Sequence, residues 1–381
     1  MANRWKHNWR DLFEQILSTE RCTGCSGCVV ACPKNVLHLD RKNWTPRLDS
    51  EAWFKDRAGD CLFGERGCTL CVRACPRFGS WESEADLELW SRTRRVEEVL
   101  GVHRRILMVK ATDSAIAAAG QDGGLGTAML LFALDKGYID GALVSQYDDE
   151  LRTQPAIART RDELLACAGS RYTYSPNLLA IGEADRAERL GVVSVGCQVS
   201  VPAVARSRGA NKLARRFGLV VGLLCTKVFV DRIYEDLLEA SYGVSRQSIT
   251  KVNIKGRMQV WHDDGEAEPS YLEVPLSKCK EFSRPGCSHC PDFAAQHADV
   301  SLGGIGSRAD RTLTISRSEL GEEILVAMER DGLITVSDAV TEDPEAVALI
   351  EKLATLQRKR WLGDSPESTL FDLAPAMVPQ A

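Results

Sequence analysis

At 381 residues with 44% apolar content, the chain exceeds one ordinary core and has material for two or three domains. A formal net charge of −5 excludes a global pull toward nucleic acid or anionic membrane. The segment from Met1 to Gln15 lacks the apolar core of a signal peptide, and the longest apolar run, about Leu125 to Leu134, is too short to span a bilayer. The expectation is a soluble, cytoplasmic protein with no transmembrane segment.

In chain order, Trp5, Trp9, Leu12, Phe13 and Leu17 stand at helical spacing and predict a lead-in helix over 1–20. From Cys22 to Phe78 the sequence is punctuated by cysteines and has little regular periodicity, and a polar connector follows over 82–103. Residues 105–110 read as a strand. A glycine-rich turn at 122–126 then opens a helix that ends at Gly137, and 141–145 is the next strand. The alternation repeats with strands at 191–195 and 217–224 and a helix near Ala203, which argues for an α/β core with a largely parallel sheet. Residues 249–274 read as a hairpin turning at Asp264-Gly265. Helix and strand patterns return over 318–336, and a loose tail begins near Asp364.

Fourteen cysteines suggest disulfides first, but the reducing cytosol and the chain length argue against that framework. Spacing points elsewhere. Cys22, Cys25, Cys28 and Cys32, with Pro33 after the last, form the C-x2-C-x2-C-x3-C-P run of bacterial ferredoxins. Cys61, Cys68, Cys71 and Cys75, followed by Pro76, form a second run whose first gap is six residues. Three thiolates on one tight loop reach three corners of a cubane, while the fourth turns away to serve the other cluster. The assignment is therefore crossed: Cys22, Cys25, Cys28 and Cys75 hold one [4Fe–4S] cluster, and Cys61, Cys68, Cys71 and Cys32 hold a second. A pair of zinc sites would need neither the fourth cysteine of each run nor the proline.

Cys197 and Cys225 each follow a predicted buried strand, at the carboxyl ends where α/β sites assemble, and Cys287 and Cys290 lie on a later loop at ligand spacing. From spacing alone, the four suit either a third cluster or one zinc on Cys287 and Cys290 with Cys197 and Cys225 merely buried. Cys167 and Cys279 remain, Cys279 as a substitute ligand. Gly123 and Gly124 precede a helix, where backbone N–H groups favour phosphate, and a second glycine cluster stands at Gly303, Gly304 and Gly306. Taken alone each fits a tight structural turn. The segment Ser170 to Ser175 offers hydroxyls and aromatics to a ring system.

The linked motifs Gly123-Gly124-x-x-Thr127, Lys136-Gly137-x-Ile-Asp140-Gly141, Gly169-Ser170-Arg171-Tyr172, Val195-Gly-Cys197-Gln198, Gly222-x-x-Cys225, Cys287-x2-Cys290-x-Asp292-Phe293 and Ala298-Asp299-x-Ser301-x-Gly303 occur together in this order. They resemble the coenzyme F420 hydrogenase/dehydrogenase beta-subunit family, over most of the chain. That resemblance implies an FAD site in the α/β core, with Gly123, Gly124, Thr127, Ser170, Tyr172 and Gly303 as contacts. It also implies a third [4Fe–4S] cluster on Cys197, Cys225, Cys287 and Cys290. Members of that family exchange a hydride between the flavin and a deazaflavin coenzyme and pass single electrons to a redox partner. Two departures stand out: Asp122 stands where a serine is often found before the double glycine, and the proline often found before the strand-end cysteine is absent, giving Val195-Gly196-Cys197.

The resulting expectation combines α+β and α/β parts. A bacterial-ferredoxin-like domain over 1–95 leads into an FAD-binding α/β domain with a largely parallel sheet over 96–345, then a C-terminal helix and tail over 346–381. Function is expected as an oxidoreductase working with coenzyme F420 or a similar hydride carrier, in complex with a redox protein or ferredoxin and with no nucleic acid. The alternatives are a ferredoxin-dependent reductase of an organic substrate and an electron-conduit subunit. Arg171 and Lys227 are candidates to hold the acidic tail of the deazaflavin. No residue is assigned as catalytic acid or base.

Overall fold

The computed structural model describes residues 6–40, 44–49, 53–54, 57–266, 268–306 and 310–362. Trp5 of the lead-in helix and the tail from Asp364 lie outside them. Asn8 starts the first helix with a capping box: its side chain accepts from Arg10 N at 2.9 Å while Asp11 accepts from Asn8 N at 2.7 Å. The helix Trp9–Leu12 continues as a π-turn over Phe13–Leu17, and Trp9, Leu12 and Ile16 pack against Cys28, Cys71 and Cys75. Two short antiparallel ladders follow, β1 (Leu37–Asp40) with β2 (Thr45–Leu48) and β3 (Trp53–Phe54) with β4 (Arg57–Cys61).

The segment read as a polar connector contains a nine-residue helix, Glu82–Trp90. Asp86 occupies a buried position on it, so apolar periodicity could not reveal it. Arg94 binds that carboxylate through Nε at 2.6 Å and Nη2 at 2.7 Å.

The large sheet is built from β5 (Arg105–Ala111), β6 (Gly141–Tyr147), β7 (Thr153–Ala158), β8 (Leu190–Val195) and β9 (Phe217–Leu223). A separate meander, β10 (Ile249–Ile254), β11 (Arg257–His262) and β12 (Ser270–Pro275), interrupts it before β13 (Val300–Gly303), β14 (Thr312–Ser316) and β15 (Ile334–Asp338) return. The strand order is β15-β5-β14-β13-β9-β8-β6-β7. Strands β13, β9, β8 and β6 are neighbours in parallel, and β5 runs the same way because both it and β13 are antiparallel to β14. The fold is thus a mixed α/β sheet, largely parallel, behind an N-terminal cysteine-rich unit.

Two expectations need correcting. The hairpin over 249–274 has three strands: its first turn is Lys255-Gly256, where Gly256 takes a positive φ of 71°, and Asp264-Gly265 serves the second connection. Strands β7 and β14 add to the expected set. Pro155 in β7 disguises it, and the structure places that strand at the sheet edge, where a missing N–H is tolerated.

Period-two alternation divides β5 between two cores. Leu107 and Val109 face the helices Leu125–Asp135 and Glu319–Arg330, whereas Ile106 and Met108 face the C-terminal helix Pro344–Leu362 through Ala346, Ile350 and Ala354. Val199, Val201 and Ala205 of the helix Gly196–Ser207 share a third cluster with Cys25 and Ala74 of the N-terminal unit. Arg208, fully buried just past that helix, donates to the carbonyls of Val72 (3.1 Å), Cys75 (3.0 Å) and Ser80 (3.3 Å). The cysteine-rich unit is therefore bolted to the α/β body through its own ligand loop. Among the described residues no helix is long and apolar enough to cross a membrane.

Candidate functional site

The register of the parallel strands brings the strand-end residues to one level. Val195 stands opposite Leu223, and Leu223 opposite Leu302, so Cys197, Cys225 and Gly303 all emerge at the carboxyl edge. Cys197 sits in the first turn of the helix Gly196–Ser207, and Cys225 is tied in place by its N–H to Phe293 O at 2.9 Å. Cys287 lies within the short turn Pro285–His289, with Cys290 directly after it. Cys197 is within electrostatic reach of Cys290, Cys25, Cys287 and Cys225, and Cys225 is within reach of Cys287 and Cys290. The four gather as one set. Cys279 stays under the meander, its Sγ turned to Pro275 O, and Cys167 ends the helix Arg161–Ala166 beside Arg171; neither joins the set.

The N-terminal runs meet in crossed fashion. Cys28 neighbours Cys25, Cys22 and Cys75 before Cys71, whereas Cys71 neighbours Cys68, Cys61 and Cys32. Cys32, Cys61, Cys68 and Cys71 line a single pocket with Trp9, Lys34 and Phe63. The tight first loop depends on Gly24 and Ser26, both at positive φ, and on Gly27, where a Cβ would lie 2.6 Å from Ala74 O.

None of the fourteen cysteines is in a disulfide. Burial pushes up the thiols of Cys25, Cys28, Cys71, Cys197 and Cys225, and takes Cys75 and Cys290 to about 11. Bare, these sites hold protons, so loading them with metal must release protons. Each set offers four sulfur donors and no oxygen or nitrogen, a donor chemistry that fits an iron–sulfur cluster. Among the described residues no three His, Cys, Asp or Glu side chains converge on a single-ion site.

Two residues that sequence reasoning missed clamp the third set from the C-terminal helix. Gln357 Nε2 donates to Cys225 O and Asp292 O, both at 3.0 Å, and Arg360 Nη1 donates to Thr226 O (2.7 Å) and Cys287 O (3.1 Å).

A second constellation lies at the same edge. Gly123 and Gly124 have φ of 72° and 73°, and Gly124 caps the helix Leu125–Asp135 that carries Thr127. The turn is held tightly: a Cβ on Gly123 would lie 2.9 Å from Val109 O, and Thr312 Oγ1 donates to Asp122 O. Gly304, next to Gly303, is packed against the Asp122 carboxylate, so the two glycine clusters form one wall. Tyr172 donates to Asn253 Oδ1 at 3.2 Å, Ser170 hydrogen-bonds the same hydroxyl, and burial takes the phenol up to about 12. Lys255, from the tip of the meander, pairs with Asp122 at 3.1 Å and balances the charge that departs from the family pattern. Lys255 is the basic residue at this wall that sequence reasoning missed. Arg171 is otherwise engaged, donating to Cys167 O at 2.8 Å and stacking on Tyr147 at 4.5 Å, while Lys227 stands near Cys279 and Cys287.

Residues 106–182 match the family model of the coenzyme F420 hydrogenase/dehydrogenase beta subunit N-terminus, and residues 187–342 match that of its C-terminus. Residues 21–78 match a 4Fe-4S dicluster domain. The coenzyme F420 hydrogenase subunit beta of Methanothermobacter thermautotrophicus is 32% identical over 269 residues, covering 69% of this chain and 94% of that protein. The corresponding beta subunit of the coenzyme F420 hydrogenase of Methanosarcina barkeri is 30% identical over 262 residues, covering 67% of this chain and 88% of that protein. A chain of the F420-reducing [NiFe] hydrogenase complex from Methanosarcina barkeri superposes with a TM-score of 0.66 at 28% identity, covering 72% of this chain and 95% of its own. The chain belongs to the coenzyme F420 hydrogenase/dehydrogenase beta-subunit family, and is an oxidoreductase that carries a 4Fe-4S dicluster domain at its N-terminal side.

Proposed function

We propose that the chain exchanges a hydride with coenzyme F420 at an FAD held on the carboxyl edge and relays single electrons to a redox protein partner through three [4Fe–4S] clusters. When bound, FAD would supply the conversion between one hydride and two single-electron transfers, and the clusters would carry those electrons one at a time. The ligand sets are Cys22, Cys25, Cys28 and Cys75; Cys32, Cys61, Cys68 and Cys71; and Cys197, Cys225, Cys287 and Cys290.

The protein's own residues do the positioning. Gly123 and Gly124 let the backbone approach a diphosphate, and the N-terminus of the eleven-residue helix Leu125–Asp135 favours its charge. Thr127, Ser170, Tyr172 and Gly303 would complete the FAD contacts, and the meander that carries Lys255 closes one side against water.

One observation carries the relay. The loop of the third set packs backbone to backbone on the loop of the first, with Gly286 seated against Cys22 and Thr23. The order is then third set, first set, second set, and the Cys32/Cys61/Cys68/Cys71 pocket is the exit toward a partner. We assign the ferredoxin-like part to 1–95 and the flavin part to 96–345, with the helix Pro344–Leu362 serving the third set.

The test is anaerobic purification with iron, sulfide and flavin analysis, followed by stopped-flow addition of reduced F420. Expected are about twelve iron and twelve sulfide for three cubanes, one FAD, and prompt bleaching of the flavin. If the flavin stays oxidised with reduced F420 but is reduced by a low-potential ferredoxin, the reductase alternative replaces this reading.

A further inference from the structure

Between the first and third cysteine sets lies a pair of buried side chains that neither ligates nor belongs to the glycine wall. Tyr174 is 3% exposed and Arg284 4%, with the Arg284 guanidinium 4.3 Å above the phenol ring. Tyr174 Oη and Arg284 Nε are both shut off from solvent and, among the described residues, have no hydrogen-bond partner. Two orphaned donors side by side are costly, since each gives up its hydrogen bond to water and gains none in return. The fold nevertheless fixes them firmly. Tyr174 N donates to Phe229 O at 3.2 Å, its carbonyl accepts from Thr153 Oγ1 at 2.9 Å, and Arg284 N donates to Val228 O at 3.1 Å.

Their surroundings are sulfur. The phenol lies within electrostatic reach of Cys197, Cys25 and Cys22, which belong to the two different sets. Arg284 lies within reach of Cys22 and of Cys287, again one from each. Its Nη2 is so close to Gly24 that a Cβ there would lie 2.5 Å away, which seats the guanidinium directly on the Cys22–Cys25 loop. Arg284 Nη2 donates to Trp44 O at 3.5 Å, so Nε and the Tyr174 hydroxyl are the unmatched donors, and what lies within their reach is cysteine sulfur.

We infer that Tyr174 and Arg284 form a donor pair that hydrogen-bonds the sulfur shells of the clusters on Cys22/Cys25/Cys28/Cys75 and on Cys197/Cys225/Cys287/Cys290, and so raises the reduction potentials of these two together. This rests on the proposed ligand sets. Hydrogen bonds and positive charge at the sulfurs favour the reduced, more negative cluster, so potential rises with each donor. Arg284 lies against both loops, so the pair acts on both clusters at once. The Cys32/Cys61/Cys68/Cys71 pocket is lined by Trp9, Lys34 and Phe63 and by neither Tyr174 nor Arg284, and that set serves as an internal reference. Tyr174 and Arg284 are positioning residues, not catalytic ones.

The experiment compares the holoprotein with Tyr174→Phe, Arg284→Met and Arg284→Lys by redox titration followed by EPR, with iron and sulfide measured on each preparation. Tyr174→Phe removes a hydroxyl that no protein group needs, so its fold and iron content should equal the parent's. Expected is a shift of two cluster signals to more negative potential in Tyr174→Phe and Arg284→Met, with the third signal unmoved and partial recovery in Arg284→Lys. With iron content at the parent level, unmoved signals, or equal shifts of all three, would overturn the donor pair while leaving the ligand sets standing. Parent protein with far less than about twelve iron would remove the ligand sets themselves and the inference with them.

Discussion

The Cα of Gly286 faces the peptide that joins Cys22 to Thr23, so closely that a methyl group there would lie 2.6 Å from the Cys22 carbonyl carbon and 2.9 Å from Thr23 N. Both obstacles are backbone and cannot rotate away. This contact is the seam between the loop that presents Cys287 and the loop that presents Cys22. Gly286→Ala should therefore push the two loops apart, at a cost of about 1–3 kcal/mol in stability typical of overpacking. Flavin reduction by reduced F420 should be preserved in this variant, while electron delivery to an external acceptor slows. Stopped-flow comparison of the two steps checks it, and equal rates for both steps in variant and parent would separate the seam from electron transfer.

Crossed ligation has its own signature. Cys75→Ala should abolish the same EPR signal as Cys25→Ala, and Cys32→Ala the same signal as Cys71→Ala, each with a loss of roughly four iron from about twelve. Flavin should remain bound in all four, because the glycine wall lies on other elements. Pairing of Cys75 with Cys71, by the signal each removes, would refute the crossing.

The C-terminal helix is held by charge as well as by Gln357 and Arg360. Burial raises the Glu82 carboxyl, but Arg358, bonded at 2.9 and 2.7 Å, and Arg94 outweigh it and hold its pKa at about 2. Asp86 is depressed further by Arg94 and His297. A carboxyl whose folded pKa lies below its unfolded value, near 4.5 for Glu82, stabilises fully above that unfolded value and loses the contribution as pH falls toward 2. For Glu82 this amounts to on the order of 3 kcal/mol at most. Arg358→Met should accelerate amide hydrogen exchange in Pro344–Leu362 at pH 7, and the difference from the parent should shrink below about pH 4.5. A difference that persists unchanged to low pH would locate the effect in packing.

Much of this arrangement is readable from the residues, for reasons that differ by element. A cubane dictates its own ligand spacing, so Cys22 to Cys32 announce themselves. Cys197 and Cys225 are readable because β8 and β9 are buried parallel strands rich in Val and Leu, and each cysteine stands two residues past the end of its strand. The rest is hidden by long-range pairing. Lys255 and Asp122 are 133 residues apart, and no local pattern links a meander tip to a glycine turn. Gln357 and Arg360 look like ordinary polar positions on an amphipathic helix. β14 carries a usable signal in Thr312-Leu-Thr-Ile-Ser316, a period-two alternation, but its burial on both faces depends on strands far away in sequence.

The Lys255–Asp122 pair gives the sharpest prediction about the glycine wall. Asp122 is almost fully buried at 6% side-chain exposure and lies where a diphosphate would approach Gly123 and Gly124. Its negative charge opposes that ligand, and Lys255 at 3.1 Å cancels it. Lys255→Met should leave a buried, unpaired carboxylate and weaken FAD retention by roughly 10- to 100-fold, matching the 1.5–3 kcal/mol of a charge-assisted hydrogen bond. Asp122→Ser should bind FAD at least as well as the parent, since it removes the repulsion and leaves Lys255 for the ligand. The double variant Asp122→Ser/Lys255→Met should then recover most of what Lys255→Met loses. Equilibrium dialysis of flavin against the four proteins measures this cycle. If the double variant is as weak as Lys255→Met alone, Lys255 acts on the flavin directly and the neutralisation of Asp122 is incidental.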